Sequence, residues 1–179
     1  MANSPYSNAV TTDTVVDVAH KRGVIIVAEY IALAQQEIAP NESVVFEITA
    51  VPCERGFVRH RDGTGSFLLS GYVPYNSCGC RNSSALYLVD FGANIAIPTG
   101  GTVEEISLAL SLDGATIPTS TMRVTPAAVE EFTGVSRAIN VQVWRGCCET
   151  LTVTNTSEQS ILVSEANILF SRPDMTITR

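Results

Sequence analysis

Charged residues are scarce in this chain of 179 residues: they make up 16% of it, and Lys21 is the single lysine. The formal net charge is −7 at pH 7. Binding to a nucleic-acid backbone needs a basic face, because lysine and arginine side chains must neutralise the phosphates. The charge balance therefore argues against nucleic acid as a partner.

Long apolar runs are also missing. A membrane-spanning helix needs roughly 18 or more consecutive apolar residues, whereas the longest candidate, residues 24–34, is interrupted by Glu29. The first residues have neither the basic start nor the apolar core of a secretory signal. We expect no membrane partner and no signal sequence.

Catalytic motifs are absent as well. His20 and His60 are the only histidines, and neither stands in a metal-binding or nucleophile motif. Glu104-Glu105 is an adjacent pair, and neighbours on a strand point to opposite faces, which makes a poor acid–base couple. We predict no enzyme activity, no catalytic residue, no metal and no cofactor. The alternative is a calcium site, without a D-x-D-x-D-G loop, built from Asp62, Asp90 or Asp113.

The five cysteines leave three interpretations open. Cys78 and Cys80 form C-G-C, Cys147 and Cys148 are adjacent, and Cys53 stands alone. Reduced loop or core thiols are the default for a protein that folds in the cytosol. Disulfides and a metal site are the alternatives, although adjacent cysteines rarely both reach one tetrahedral ion. We expect reduced thiols.

Residues that favour strands dominate the composition, with 20 Val, 18 Thr and 13 Ile. A long strand is predicted over residues 86–97, and residues 103–112 alternate before Asp113-Gly114, a hairpin signal. Thr125-Pro126 followed by two glutamates favours one short helix near residues 125–132. The pattern predicts an all-β sandwich or jelly roll.

The chain is polar and turn-forming before Gly23 and β-patterned after it. Residues 24–34 could form a strand or a short helix, and a strand is favoured at their beginning. Residues 1–33 are assigned to an N-terminal extended arm that docks to another surface, and residues 34–179 to the jelly-roll domain. Polar terminal arms gain order mainly when they are bound. The arm residues predicted to contact the docking surface are Tyr6, Val15, Val16, Lys21 and Arg22.

Several short blocks occur in an order that is similar to a known superfamily. They are GSF at 65–67, GY at 71–72, YLVDF at 87–91, ISLALSLDG at 106–114 followed by IP at 117–118, LTVTNTS at 151–157, and residues 166–173. Together they resemble the jelly-roll superfamily of tumour necrosis factor and complement globular heads. The resemblance is to its bacterial and phage branch, which includes the C-terminal domain of collagen-like glycoproteins on Bacillus spore surfaces and phage decoration or head-fibre proteins. The hairpin block at 106–118 is the most specific.

This resemblance implies a homotrimer. The predicted strand at 86–97 is apolar on both faces, whereas a strand in a two-layer sandwich normally has one wet face. We therefore predict that one of its faces meets neighbouring subunits. The predicted trimer-interface residues are Tyr87, Val89, Phe91 and Phe170.

The expected function is structural. The resemblance, taken with the small size, the arm and the missing collagen-like stalk, implies a bacteriophage virion protein, namely a trimeric capsid decoration, head-fibre or collar component assembled in the host cytoplasm. The alternative is a bacterial spore-surface or cell-surface protein that acts like an adhesin. Candidate partners are the chain itself, a major capsid protein or another virion protein, and a host-surface glycan. Trp144 is either a strand-end aromatic at a sheet edge or subunit contact, or an exposed recognition anchor.

Overall fold

Strands form nearly all of the regular structure in the computed structural model, which describes residues 24–53, 55–73, 82–146 and 148–177. The strands are β1 (Val24–Ala32), β2 (Gln36–Ile38), β3 (Ile48–Val51), β4 (Val58–His60), β5 (Ser66–Leu69), β6 (Ser84–Ala96), β7 (Ile106–Leu112), β8 (Ala115–Thr116), β9 (Met122–Val124), β10 (Thr133–Trp144), β11 (Glu149–Asn155) and β12 (Ile161–Ile177). A single 3₁₀ turn covers Pro118–Ser120. No helix in these ranges is long and apolar enough to cross a bilayer.

Two antiparallel sheets divide the strands between them. Sheet A has the order β10-β6-β12-β1-β3, with β2 also paired to β12. Sheet B has the order β4-β5-β11-β7-β8, with β9 also paired to β7. The sheets pack face to face as a jelly-roll sandwich, which confirms the predicted fold class.

The core lies between the two sheets and is built by period-two alternation. On β6, every second side chain from Ala85 to Ile95 is buried, and the same holds for Leu151 and Val153 on β11. Phe67 of sheet B lies 5.0 Å from Phe170 of sheet A between ring centroids. Aromatic contacts of this kind hold the two layers together.

The sandwich begins earlier in the chain than the sequence indicates. β1 pairs along its whole length with β12, from Val24 opposite Ile177 to Ala32 opposite Ala166. It also pairs with β3 on its other side. Residues 24–32 are thus an interior strand of sheet A rather than part of the arm. The predicted boundary at residue 33 is corrected to about residue 24.

The short helix predicted near residues 125–132 does not form, which corrects that prediction. The Glu131 carboxylate does accept hydrogen bonds from the Ala127 and Ala128 amides, at 3.0 and 3.1 Å, as a cap would. Glu130, however, has φ of 59°, which stops helical continuation. Its amide donates to the Ile97 carbonyl at 2.8 Å instead. The segment is therefore a capped turn.

The Asp113-Gly114 hairpin forms as predicted. Both residues have positive φ, 47° and 81°, as a tight two-residue hairpin turn requires. The turn joins β7 to β8, with Leu112 opposite Ala115.

Candidate functional site

The four residues predicted at a trimer interface lie inside one protomer. Tyr87, Val89, Phe91 and Phe170 are each at most 1% exposed. Phe170 stands opposite Val89 in the pairing of β12 with β6, and both face sheet B. These side chains have no surface left to offer a neighbouring subunit, which corrects their predicted role.

Tyr87 instead joins a buried polar network. Its hydroxyl lies 2.9 Å from the Phe57 carbonyl oxygen and 2.7 Å from that of Ser70, so the two carbonyls share one donor. Arg172, fully buried, donates from Nη1 to the Tyr87 hydroxyl at 3.3 Å and from Nη2 to the Tyr72 carbonyl at 3.0 Å. The network links β6 and β12 to the residues just before β4 and just after β5.

The opposite face of β6 is the exposed one. Here Leu88 stands opposite Asn140 of β10 on one side and Ser171 of β12 on the other. Ser171 stands in turn opposite Val27 of β1. We call this surface the outer face of sheet A. It carries a mixture of apolar and polar side chains across four strands.

Apolar side chains remain accessible on the outer face of sheet A. Val27 is 36% exposed, Leu88 37% and Ile48 41%. Leu169 and Ile31, on neighbouring strands of the same face, are half-buried. Two carboxylates, those of Asp90 and Glu29, flank Leu169 in the register. The face thus combines accessible apolar side chains with polar ones and has two carboxylates near its centre.

A polar depression of about 320 Å³ interrupts this face beside a β-bulge. The register of β12 against β6 shifts between Ser164 and Asn167, and Glu165 within that shift has φ of 51°. The Asn94 side-chain amide donates to Glu165 Oε2 at 2.7 Å. A Cβ atom added to Gly92 would lie 3.0 Å from the Asn167 side-chain oxygen, so any larger residue at this position would crowd Asn167.

Trp144 is exposed, at 65%, at the last position of β10. It pairs with Ser84, the first residue of β6, and therefore lies at the same end of sheet A as Val24 and Ile177. Tyr72 is 56% exposed. The Gly71 backbone lies so close to the Trp144 carbonyl oxygen that any side chain there would collide with it. The tryptophan is thus an accessible aromatic at a sheet edge, and its role as an anchor stays a prediction.

The other residues considered for chemistry are dispersed. No group of three His, Cys, Asp or Glu side chains comes together within the described residues, so the aspartates of the alternative calcium site are not assembled. His60 lies between two backbone acceptors, with Nδ1 3.1 Å from the Ser66 carbonyl and Nε2 3.1 Å from that of Phe46. Cys53 is half-buried, and its sulfur accepts the Val58 amide at 3.4 Å.

Several predicted residues lie outside the described residues. They are His20, Cys78, Cys80, Cys147 and the arm residues Tyr6, Val15, Val16, Lys21 and Arg22. Cys148 is described and is half-buried.

Sequence reasoning missed the outer face of sheet A. Leu88 alternates with Tyr87 and Val89, and this alternation was visible as two apolar sets on one strand. Which set faces outward is decided by the second sheet, whose position local sequence does not encode. Ile48 carries no such signal, because β3 has only four residues.

Comparisons with known proteins agree with the architecture. No family model matches the sequence, and neither does any curated protein. The globular domain of zebrafish complement 1qA aligns over 82% of this chain and 94% of its own, with 10% identity and a TM-score of 0.53. Eiger TNF from S. frugiperda aligns over 83% and 92%, with 12% identity and a TM-score of 0.55. Murine APRIL aligns over 83% and 99%, with 10% identity and a TM-score of 0.58. The chain thus has the jelly-roll fold found in complement and tumour necrosis factor domains.

Proposed function

We propose that this chain is a non-enzymatic structural protein of a bacteriophage particle, from the phage branch of this jelly-roll superfamily. In this role it is a capsid decoration, head-fibre or collar component. Its sandwich self-associates as a homotrimer, and its N-terminal segment docks to the major capsid protein or another virion protein. The order of the sequence blocks supports the branch, and the fold supports a module that associates with copies of itself.

The observation that carries self-association is the apolar outer face of sheet A. Leu88, Val27 and Ile48 are each more than one-third exposed to water on this face. Covering them with a neighbouring subunit would be favourable, because it removes apolar surface from water. Because each of these side chains is already about two-thirds buried, covering the rest of one contributes roughly 0.5–1 kcal/mol, about a third of the value for full burial. The face spans β6, β12, β1 and β3, so a neighbouring subunit would cover several strands together.

The position of Val24, the first described residue, supports docking through the N-terminal segment. β1 begins at Val24, next to Ile177, at the end of sheet A that also carries Trp144. A segment that leaves the sandwich at residue 23 therefore starts at this end. Docking there would leave the outer face of sheet A available for self-association.

Sedimentation of the full chain tests self-association. We expect the wild type to sediment at about three times its mass of 19.1 kDa. Leu88→Asp and, separately, Ile48→Asp should shift it toward monomer, because each replaces an apolar contact of the covered surface with a charge and adds to the repulsion from the Asp90 and Glu29 carboxylates on that face. Val103→Asp is the matched control, since Val103 is 49% exposed and lies outside the strands. A monomeric wild type, or equal effects of all three variants, would contradict the proposal.

The virion role is tested by labelling purified phage particles with antibody against this protein. Regular labelling of heads or collars supports it, and labelling of spores or cell surfaces supports the alternative of a surface protein similar to an adhesin. The exposed pair Trp144 and Tyr72 gives that alternative an accessible aromatic contact. Imaging separates the two roles without reference to the oligomeric state.

A further inference from the structure

Sheet B presents two arginines on its outer face. β4 is an edge strand, and its alternation places Arg59 on the side opposite Val58, which is buried in the core. Arg61 directly follows the strand, is exposed and lines the same depression as Arg59. Arg59 pairs with Leu68 of β5, which pairs in turn with Thr150 of β11. These residues line a depression of about 280 Å³.

A second depression, of about 290 Å³, continues from the first across β11 and shares Thr150 with it. Its walls are almost entirely hydroxyl side chains, with Asn41 at one side. Three threonines at alternate positions of β11 supply one wall, namely Thr150, Thr152 and Thr154. Ser111 and Thr116 of the β7–β8 hairpin supply the other.

The hydroxyls of this wall keep unused hydrogen-bonding capacity. The Thr152 and Thr154 hydroxyls lie 3.1 Å apart, and those of Ser111 and Thr116 lie 3.5 Å apart. Each hydroxyl has one donor and two acceptor sites, so a pairwise contact occupies only part of them. We call the two depressions together the sheet B groove.

The charge at one end of the sheet B groove is uncompensated. Within the described part of the chain the one ion pair is between Arg123 and Glu105, so neither Arg59 nor Arg61 is in one. No carboxylate lines either depression. Two carboxylates close to Thr150 are held by backbone amides: Glu149 Oε1 accepts the Trp144 amide at 3.2 Å, and Asp113 Oδ1 accepts the Thr150 amide at 2.7 Å. Asp62 follows Arg61 in the chain, is exposed and lines neither depression. In a chain of net charge −7, this is a local positive site.

We propose that the sheet B groove binds an acidic oligosaccharide, that is, a sugar chain carrying carboxylates. The guanidinium groups of Arg59 and Arg61 match a carboxylate in paired hydrogen bonds. The hydroxyl wall meets sugar hydroxyls, and half-buried Leu68 provides an apolar floor for the C–H face of a ring. The groove crosses five strands, about 19 Å at the usual strand spacing, which suits several sugar units.

Other anionic chains fit the groove less well. Single-stranded nucleic acid is bound through exposed aromatic stacking platforms. No Phe, Tyr or Trp ring lines either depression, and the His60 ring at the first depression is already stacked on Phe67. An acidic peptide would use the arginines but would have few groups for the hydroxyl wall. The proposal does not depend on whether the protein belongs to a virion or to a cell surface.

Calorimetric titration of the full chain tests the groove, with oligogalacturonate and hyaluronan oligomers as probes. We expect at least one of them to bind, with an affinity that falls as salt is added. Arg59→Gln/Arg61→Gln should weaken binding at least tenfold. Thr152→Val/Thr154→Val, which removes two hydroxyls at nearly constant shape, should weaken it several-fold. The matched control Arg123→Gln/Arg137→Gln removes the same charge from outside the groove and should bind like the wild type.

Three results would overturn the proposal. They are no heat with either probe at millimolar concentration, equal weakening in the control variant, and tighter binding of poly-glutamate than of the sugars. The last would assign the groove to acidic peptides. Because sedimentation reports self-association separately, these results leave the proposed structural role unaffected.

Discussion

Arg172 lies over the ring of Tyr87, with its guanidinium carbon 4.7 Å from the ring centroid, and both side chains are completely buried. A cation over an aromatic face is stabilised by the ring's quadrupole, more strongly where water is excluded. The tyrosine hydroxyl also accepts from the same arginine. Tyr87 thus contacts Arg172 in two ways, through a cation–π interaction with its ring and a hydrogen bond to its hydroxyl.

Removing the Tyr87 hydroxyl should destabilise the sandwich. Tyr87→Phe keeps the ring but takes one partner from Arg172 and a shared donor from the Phe57 and Ser70 carbonyls. We expect the free energy of unfolding to fall by about 1–3 kcal/mol, measured by urea denaturation. Tyr72→Phe is the matched control, because Tyr72 is exposed and meets Arg172 through its carbonyl only. It should change stability by at most about 0.5 kcal/mol. Equal losses would contradict this account.

Stability should fall at alkaline pH through Tyr30. Burial, together with the charges of Cys53 and Asp62, raises the pKa of Tyr30 from 10.0 to about 12. Below pH 10 the phenol is protonated in both states, so its contribution is fully present. Between pH 10 and 12 only the unfolded state loses the proton, so stability falls by roughly 2–3 kcal/mol.

Urea denaturation of wild type and Tyr30→Phe between pH 10 and 12 tests whether stability falls as pH rises and whether Tyr30 is the cause. The variant has no phenol to titrate at position 30, so its stability should decline less steeply than that of the wild type. Parallel curves would show that the alkaline loss arises elsewhere.

Deleting residues 2–22 should leave the sandwich folded and still self-associating. The deletion ends before Val24, the first residue of β1, so every described strand pairing is kept. Attachment to phage particles should be lost, measured by co-sedimentation with particles that lack the protein. A truncated chain that melts far below the wild type would mean that these residues contribute to the core.

Trp144 gives a test of the anchor hypothesis, and as the single tryptophan it also reports on its own exposure. Iodide should quench its fluorescence readily in the free protein and less after attachment to particles. Trp144→Ala should leave stability within about 0.5 kcal/mol and weaken attachment. Phe132→Ala, at a 40% exposed phenylalanine, is the control and should attach normally. Unchanged attachment of Trp144→Ala would reject the anchor role.

Local signals were sufficient for much of the fold. The alternation of residues 86–97 predicted β6, and Asp113-Gly114 predicted the β7–β8 turn, because both depend on near neighbours. The β-branched start of residues 24–34 favoured a strand there, but local signals did not show that this strand belongs to the sandwich and not to the arm. What makes residues 24–32 a strand is pairing with β12, more than 130 positions away in sequence.

The candidate surfaces were harder to predict for the same reason. Tyr87 and Leu88 are both apolar neighbours on β6, and only the placement of Phe67 and the rest of sheet B makes one interior and the other exterior. The sheet B groove depends on Arg59 and Thr150, whose strands meet on either side of β5. No spacing within the sequence brings these residues together.

The pairing of Val24 with Ile177 makes the two ends of the sandwich different as attachment points for a fused peptide. β6 runs from the end that holds Val24 and Ile177 toward the turn at Thr99 and Gly100, about 40 Å away at the usual rise per strand residue. A peptide joined directly after Ile177 would begin beside Val24, at this end of the sandwich. An epitope inserted between Thr99 and Gly100 would project from the opposite end of the sandwich, away from Val24 and Ile177.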